Sequence, residues 1–371
     1  MSTDITIAAV GDFLIKTRII NSARVSGEKG YSFDKIFEPV ASYLRDADFT
    51  IGNLETNFGG TGSESKPSQK TIDAVYSVVK RHPKTGWPMF NCPDQFAETL
   101  KNLGFDVLTT ANNHCMDCGI HGLKRTLKVL DSHGLAHTGT FRSHSESQQY
   151  LIKEVKGIKI GILAYTKTTN KIPVPSEQSW AVNLISSSKI IADIKKIKAQ
   201  GAELVIVCMH FGREYGMFPN DQQKELVPLL FKNGADIILG AHSHVIQPAL
   251  FYKVKDNTGV SKQRFAIYSL GNFISTRLYW NDHTLTGLIT RLNIRKNDDG
   301  TIQIKQAEFI PTWTRITRSG ERSVFRILPL KDAIKKQTDV GGKEWDRMKT
   351  MYEHVKRHIK RNTDAPELKV L

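Results

Sequence analysis

The chain has 371 residues, 40% hydrophobic and 24% charged, an ordinary globular composition with enough length for a substantial core. Its net charge of +15 predicts either an anionic partner (nucleic acid, phosphate ester, polycarboxylate or lipid surface) or solubility charge spread over the surface. No stretch approaches the roughly 20 apolar residues that span a bilayer, no nucleic-acid module is visible, and the four cysteines at 92, 115, 118 and 208 do not resemble a secreted disulfide framework.

In chain order, residues 1–10 contain Asp4 and no basic start before an apolar run, so they read as a strand rather than a signal peptide. The expectation is a cytoplasmic protein, with envelope association left open if the chain is part of a longer one. Apolar runs rich in Val and Ile predict strands at 5–10, 49–51, 107–110, 158–164, 204–209, 237–239, 266–268 and 288–294. Helical patterns cover 34–44, 94–103, 121–133, 187–200 and 222–232. Asp94 reads as an N-cap and Gly104 as the matching stop, an ending repeated at Gly134, Gly201 and Gly234. The strands at 288–295 and 301–309, joined through Asp298-Asp299-Gly300, read as an antiparallel hairpin. Strand–helix alternation predicts an α/β protein with a largely parallel core covered by helices. One domain is expected over 1–330, with an insertion at about 60–91, followed by a basic helical extension over 331–371.

The insertion carries Lys66, Lys70, Lys80, Arg81, His82 and Lys84, then Trp87 and Phe90. It either folds over a site and selects an anion with an aromatic contact, or is a solvated loop with one short helix. In the extension, Trp345, Met348, Tyr352, Val355 and Ile359 recur at helical spacing. Such a stripe packs on its own domain in preference to binding a membrane.

The unusual polar residues follow the strands, where ligands of open α/β sheets collect. They are Gly11-Asp12, Asn53-Leu54-Glu55, Asn112-Asn113-His114, His210-Phe211-Gly212-Arg213-Glu214, Gly240-Ala241-His242-Ser243-His244 and Gly271-Asn272-Phe273. They supply two carboxylates, an amide oxygen and several imidazoles, expected on one face of one sheet. This donor mixture suits a pair of divalent cations, Mn, Fe, Zn or Mg. A carboxylate between two ions can bridge them, and the ions make a shared water more acidic. On an extended segment His242 and His244 would point the same way.

In order, these motifs, with Asp117, Gly119, Tyr215 and Tyr268-Ser269-Leu270, resemble those of the CapA family (poly-γ-glutamate capsule biosynthesis) over about residues 5–310. That family is similar to the calcineurin-like metallophosphoesterases. The resemblance implies a metallophosphoesterase-like β-sandwich of mixed sheets flanked by helices, four layers in the order αββα, around a dinuclear site. Carried across motif by motif, it puts Asp12 and His244 on one metal ion and Asn113, His210 and His242 on the other, with Glu55 bridging. His114, after the Asn ligand, takes the place of a proton donor or transition-state stabiliser. The usual Asp-x-His of the phosphoesterase first motif is Asp12-Phe13-Leu14 here, so one ion has fewer ligands.

Asp117 reads as a partner for His114 or as a cap for the following helix. Glu214 orients a liganding imidazole or forms a surface ion pair. Arg213 and Asn272 are candidates for substrate contact, Asn272 also for holding the loop at Gly271. Cys115 and Cys118 form a C-x-x-C whose position the motif already explains. The leading function is metal-dependent hydrolysis of a phosphate ester or of a γ-glutamyl or peptide bond, in poly-γ-glutamate or other exopolymer assembly, with His114 as the acid. The alternatives are a metal-assisted peptide epimerase and a non-catalytic, metal-stabilised subunit of a polymer synthase.

Overall fold

A computed structural model describes residues 2–25, 30–62, 69–76, 78–259, 261–336, 341–361 and 367–371. The apolar runs pair into two large sheets. One runs in space Arg322–Pro329, Ile302–Ser319, Thr286–Lys296, Thr3–Phe13, Phe49–Asn53, Val107–Thr109 and Ala136–Thr138, with Asn272–Ile274 and Leu368–Val370 paired alongside. The other runs Ile246–Lys255, Ser261–Leu270, Ile237–Ala241, Leu204–His210, Ile158–Thr166 and Leu151–Val155. The second sheet has a parallel centre and antiparallel flanks. The first is antiparallel from Arg322–Pro329 to Thr3–Phe13 and parallel from there to its edge at Ala136–Thr138. Both are therefore mixed, where the strand–helix alternation alone predicted a largely parallel core.

Alternation along each strand explains the layering. Ile158, Ile160 and Ile162, Leu204 and Ile206, and Ile237 and Leu239 point inward onto Ile5, Ile7, Ile51 and Val107 of the facing sheet. Leu163, Val205, Val207 and Ile238, one residue out of phase, point outward onto the helices Ser187–Ala199 and Asp221–Lys232. Because both faces are covered, these strands read as continuous apolar runs. The helices Gln95–Asn102 and Gly119–Ser132 cover the first sheet, packing against Phe13 and Leu108. The result is a metallophosphoesterase-like sandwich of two sheets between helices. Each Ile or Leu buried there contributes about 2 kcal/mol.

Three local expectations change. The helix expected over 34–44 is split into Asp34–Phe37, a 3-10 turn at Glu38–Val40 and Ala41–Arg45, because Pro39 supplies no amide donor. Asp94 caps nothing; its carboxylate takes both Arg125 nitrogens, at 2.8 and 2.7 Å, while Asn220 and Gln223 build a capping box that the sequence reading missed. The second strand of the terminal hairpin is longer than expected, Ile302–Ser319, and continues into Arg322–Pro329. The helix Gly342–Ile359 buries Met348 and Met351 against Leu285, Trp313 and Leu330, and Val355 and Ile359 in the core between the sheets. No helix among the described residues is long and apolar enough to cross a membrane.

Candidate metal centre

The carboxyl ends of the central strands meet along a seam between the sheets. From the first sheet come Asp12, ending Thr3–Phe13, then Glu55 after Phe49–Asn53 and Asn113-His114 after Val107–Thr109. From the second come His210, ending Leu204–His210, and His242 and His244 after Ile237–Ala241. The donors therefore come from two sheets, not from one face of one sheet. The chain crosses between sheets at Gly271, and Asn272 then pairs with Asp12 in parallel register. The crossing requires a close backbone approach: a Cβ on Gly11 would stand 1.9 Å from the Gly271 carbonyl oxygen, and one on Gly240 2.0 Å from that of Tyr268.

Two groups of donor atoms result, each within 4.8 Å: Asp12, Glu55 and His244, and Glu55, His210 and His242. Glu55 belongs to both. Asn113 joins the second, its Oδ1 lying 2.8 Å from His210 Nε2. His244 Nδ1 lies 3.3 Å from Asp12 Oδ2. Asn53 ties the halves together, with its Nδ2 donating to Asp12 Oδ1 at 2.7 Å and standing 3.2 Å from His210 Nδ1. Leu14, where the phosphoesterase motif has His, is buried and apolar, so the Asp12 group has three such donors among the described residues.

Both Glu55 carboxylate oxygens are fully buried and have no hydrogen-bond partner among the described residues, although His210 Nε2 stands 3.5 Å from Oε1 and His244 Nδ1 3.8 Å from Oε2. Such oxygens are costly to leave unpaired, by about 1–3 kcal/mol or more for a charged group. A divalent cation in each group would satisfy them, and oxygen with imidazole ligands suits such a cation. Without one, burial and the neighbouring Asp12 charge push Glu55 up to about 8. Burial works against a charged His244, yet Glu55 and Asp12 raise it to about 9. Burial also opposes the Asp12 carboxylate, but the hydrogen bond to His244 and the surrounding imidazoles hold it below its ordinary value. Burial lowers His210 to about 3, and burial with the neighbouring imidazoles holds His242 well below its ordinary value, which favours the neutral rings that ligands must be.

His242 and His244 do not lie on extended backbone. Their φ angles are 94° and 59°, so a left-handed turn, rather than strand alternation, aims them at different donor groups. Non-glycine residues held this way cost about 1–3 kcal/mol each and cluster at functional sites.

Beside the donors, His114 Nδ1 meets Asp117 Oδ2 at 2.8 Å. Asp117 also accepts from the Phe90 amide at 2.6 Å, and Phe90 lays its ring 4.4 Å from the His114 imidazole. The end of the insertion thus packs on the site, and a cavity of about 260 Å³ opens next to it, lined by Ile15, Tyr76, Met89, Phe90 and Cys118 among others. Lys80, Arg81 and Lys84 are exposed, and Lys66 lies outside the described residues. Asn272 is fully buried, its Oδ1 3.0 Å from His244 Nδ1 and its Nδ2 donating to the Thr284 carbonyl at 2.9 Å. Its amide orients an imidazole. Arg213 is exposed, and Glu214 is half-buried with its charge felt at Lys16, Glu55 and His244. Burial pushes the Cys115 and Cys118 thiols up to about 12, away from thiolate chemistry.

The sequence reading missed Lys16 and the linking role of Asn53. The Lys16 ammonium lies over the Phe90 ring at 5.6 Å, and burial lowers it to about 8 against the pull of Glu55 and Glu214. No motif announces it; its position four residues after Asp12 was the available signal.

Comparison with known proteins bears on the family and the fold. The model of the family described as bacterial capsule synthesis protein PGA_cap matches residues 6–277. The capsule biosynthesis protein CapA of Bacillus anthracis is 28% identical over 73% of this chain, a match that spans 59% of that relative. The PGA biosynthesis protein CapA of Bacillus subtilis is 29% identical over 80% of this chain and 69% of its own length. Among solved structures, Haemophilus influenzae NAD nucleotidase superposes with a TM-score of 0.50 and 12% identity, over 100% of this chain and 57% of that one, a likeness of fold alone.

Proposed function

The chain belongs to the bacterial capsule synthesis protein family, and from that premise we propose that its seam is the two-ion centre of a metal-dependent hydrolase. Its substrate is an anion, a phosphate ester or a γ-glutamyl or peptide bond, in the assembly of poly-γ-glutamate or another exopolymer. What carries the reading is Glu55: a buried carboxylate with two unpartnered oxygens, shared by two groups of donors.

Asp12 and His244 would hold one ion, Asn113, His210 and His242 the other, and Glu55 both. Divalent ions so placed supply Lewis acidity, acidifying water and stabilising negative charge that develops on the attacked group. Asn272 and Asn53 keep His244, Asp12 and His210 in position. Asp117, 2.8 Å from His114 Nδ1, holds that ring in place, and His114 would pass a proton to the leaving group. Lys16 at the edge of the seam and Arg213 on the surface offer positive charge to an anion.

The test is divalent-metal content together with p-nitrophenyl phosphate turnover under added Mn, for wild type and His242→Ala. Wild type is expected to hold metal and cleave the ester, and the variant to lose both. Metal without cleavage would transfer the reading to the epimerase or the non-catalytic subunit, with deuterium uptake at an α-carbon marking the epimerase. No metal under any loading condition would overturn the centre itself.

A further inference from the structure

The rim of the seam carries a feature that the metal chemistry does not use. Leu278 and Asn281 form an antiparallel bridge, and the two residues between them, Tyr279 and Trp280, both have left-handed backbone, with φ of 47° and 57°. A two-residue hairpin turn of this hand favours Asn-Gly, and bulky side chains there are strained. Strain of this kind gathers at ligand clamps. Both side chains are also in the open: Tyr279 is 81% exposed and Trp280 84%, against 63% for Val78, the next large apolar side chain among the described residues.

The turn stands beside the donors. Tyr279 meets Tyr215 edge to face, with ring centroids 5.1 Å apart, and the Tyr215 ring lies 5.9 Å from that of His244. Aromatic rings thus run in file from a donor of the metal centre to solvent. The base of the turn is braced: Arg277 lies over the Trp280 ring at 5.7 Å and pairs with Asp282 at 2.7 Å, and Asp282 also holds Arg347 of the helix Gly342–Ile359. Exposed rings on a braced turn form a preorganised surface, so little ordering is left for binding to oppose.

We infer that Tyr279 and Trp280 are a stacking platform for a planar ring in the substrate, on the side of the scissile bond away from the metal centre. The inference rests on the reading of the seam as a metal centre that holds the anionic end. It adds that the group beyond that end carries an aromatic or heteroaromatic ring, which an aromatic face recognises by offset stacking where an aliphatic chain offers only its area.

Titration calorimetry of the Mn-loaded protein with phenylphosphonate and methylphosphonate measures the ring without any turnover, since neither has an ester bond. Wild type is expected to bind phenylphosphonate roughly tenfold more tightly. Tyr279→Ala/Trp280→Ala is expected to bring the two affinities together. So is Tyr279→Asn/Trp280→Gly, which suits the turn and should unfold no earlier than wild type, so that misfolding is not the cause. Equal affinity in wild type, including none for either, would overturn the platform, as would a ring preference that survives in both double variants. Concentration-dependent self-association that these variants abolish, with no ring preference in wild type, would assign the rings to a protein contact instead. A ring preference in a protein that cleaves no ester would sink the hydrolase reading and leave the platform standing.

Discussion

Two groups of three imidazoles stand among the described residues, and they are built on opposite plans. His210, His242 and His244 converge with Asp12, Glu55 and Asn113, and neither Glu55 oxygen has a hydrogen-bond partner among the described residues. His283, His354 and His358 instead pack ring against ring, with centroids 4.6 and 5.2 Å apart, where the helix Gly342–Ile359 meets the turn Asp282–Leu285. There Asp282 is taken by Arg277 and Arg347, His358 Nε2 meets the Met217 carbonyl at 2.8 Å, and burial lowers all three imidazoles. Imidazoles in number are thus compatible with plain helix docking. What marks the seam is a buried carboxyl group, shared by both groups of donors, with no hydrogen bond from the described residues.

Glu55→Gln breaks this contrast most severely, because it removes the charge shared by both groups. Metal content should fall at both positions and p-nitrophenyl phosphate turnover by about three orders of magnitude; a variant that keeps both would show that Glu55 is a packing residue. A smaller effect is expected for Asn272→Ala, which frees the His244 ring but removes no ligand. Metal affinity should weaken by about 10–100-fold, read by competition with a chelator, and unchanged affinity would return Asn272 to a purely structural part. The smallest is His354→Ala in the other group, with metal content constant and stability moved by about 1 kcal/mol or less in urea unfolding. Loss of metal from that variant would erase the distinction between the two groups.

The donors were legible because carboxylates, imidazoles and amides recur just after apolar strands, six times in chain order. Their division between two sheets was not, since which strand pairs with which depends on residues hundreds of positions apart, such as Asp12 and Asn272. The turn that aims His242 and His244 was hidden for a related reason. Their left-handed backbone is imposed by tertiary contacts against the ordinary preference of histidine. Tyr279-Trp280 gave no warning either, because neither residue is a turn former and their conformation follows from the bridge around them. Pro39 was in plain view within a helical pattern and still marked a break that periodicity concealed. Strands such as Leu151–Val155 escaped because, half-exposed at the sheet margin, they carry too little apolar alternation to stand out.

Asp12 and His210 lie at strand ends, one in each sheet, the other donors follow their strands within four residues, and the strand of Asp12 is tied to the crossing chain where Asp12 pairs with Asn272. Loops that open locally at little cost can lose their function well before a domain melts, but every donor here is buried. Warming should leave the donor arrangement intact until the sandwich itself comes apart, so that inactivation and global melting share one temperature.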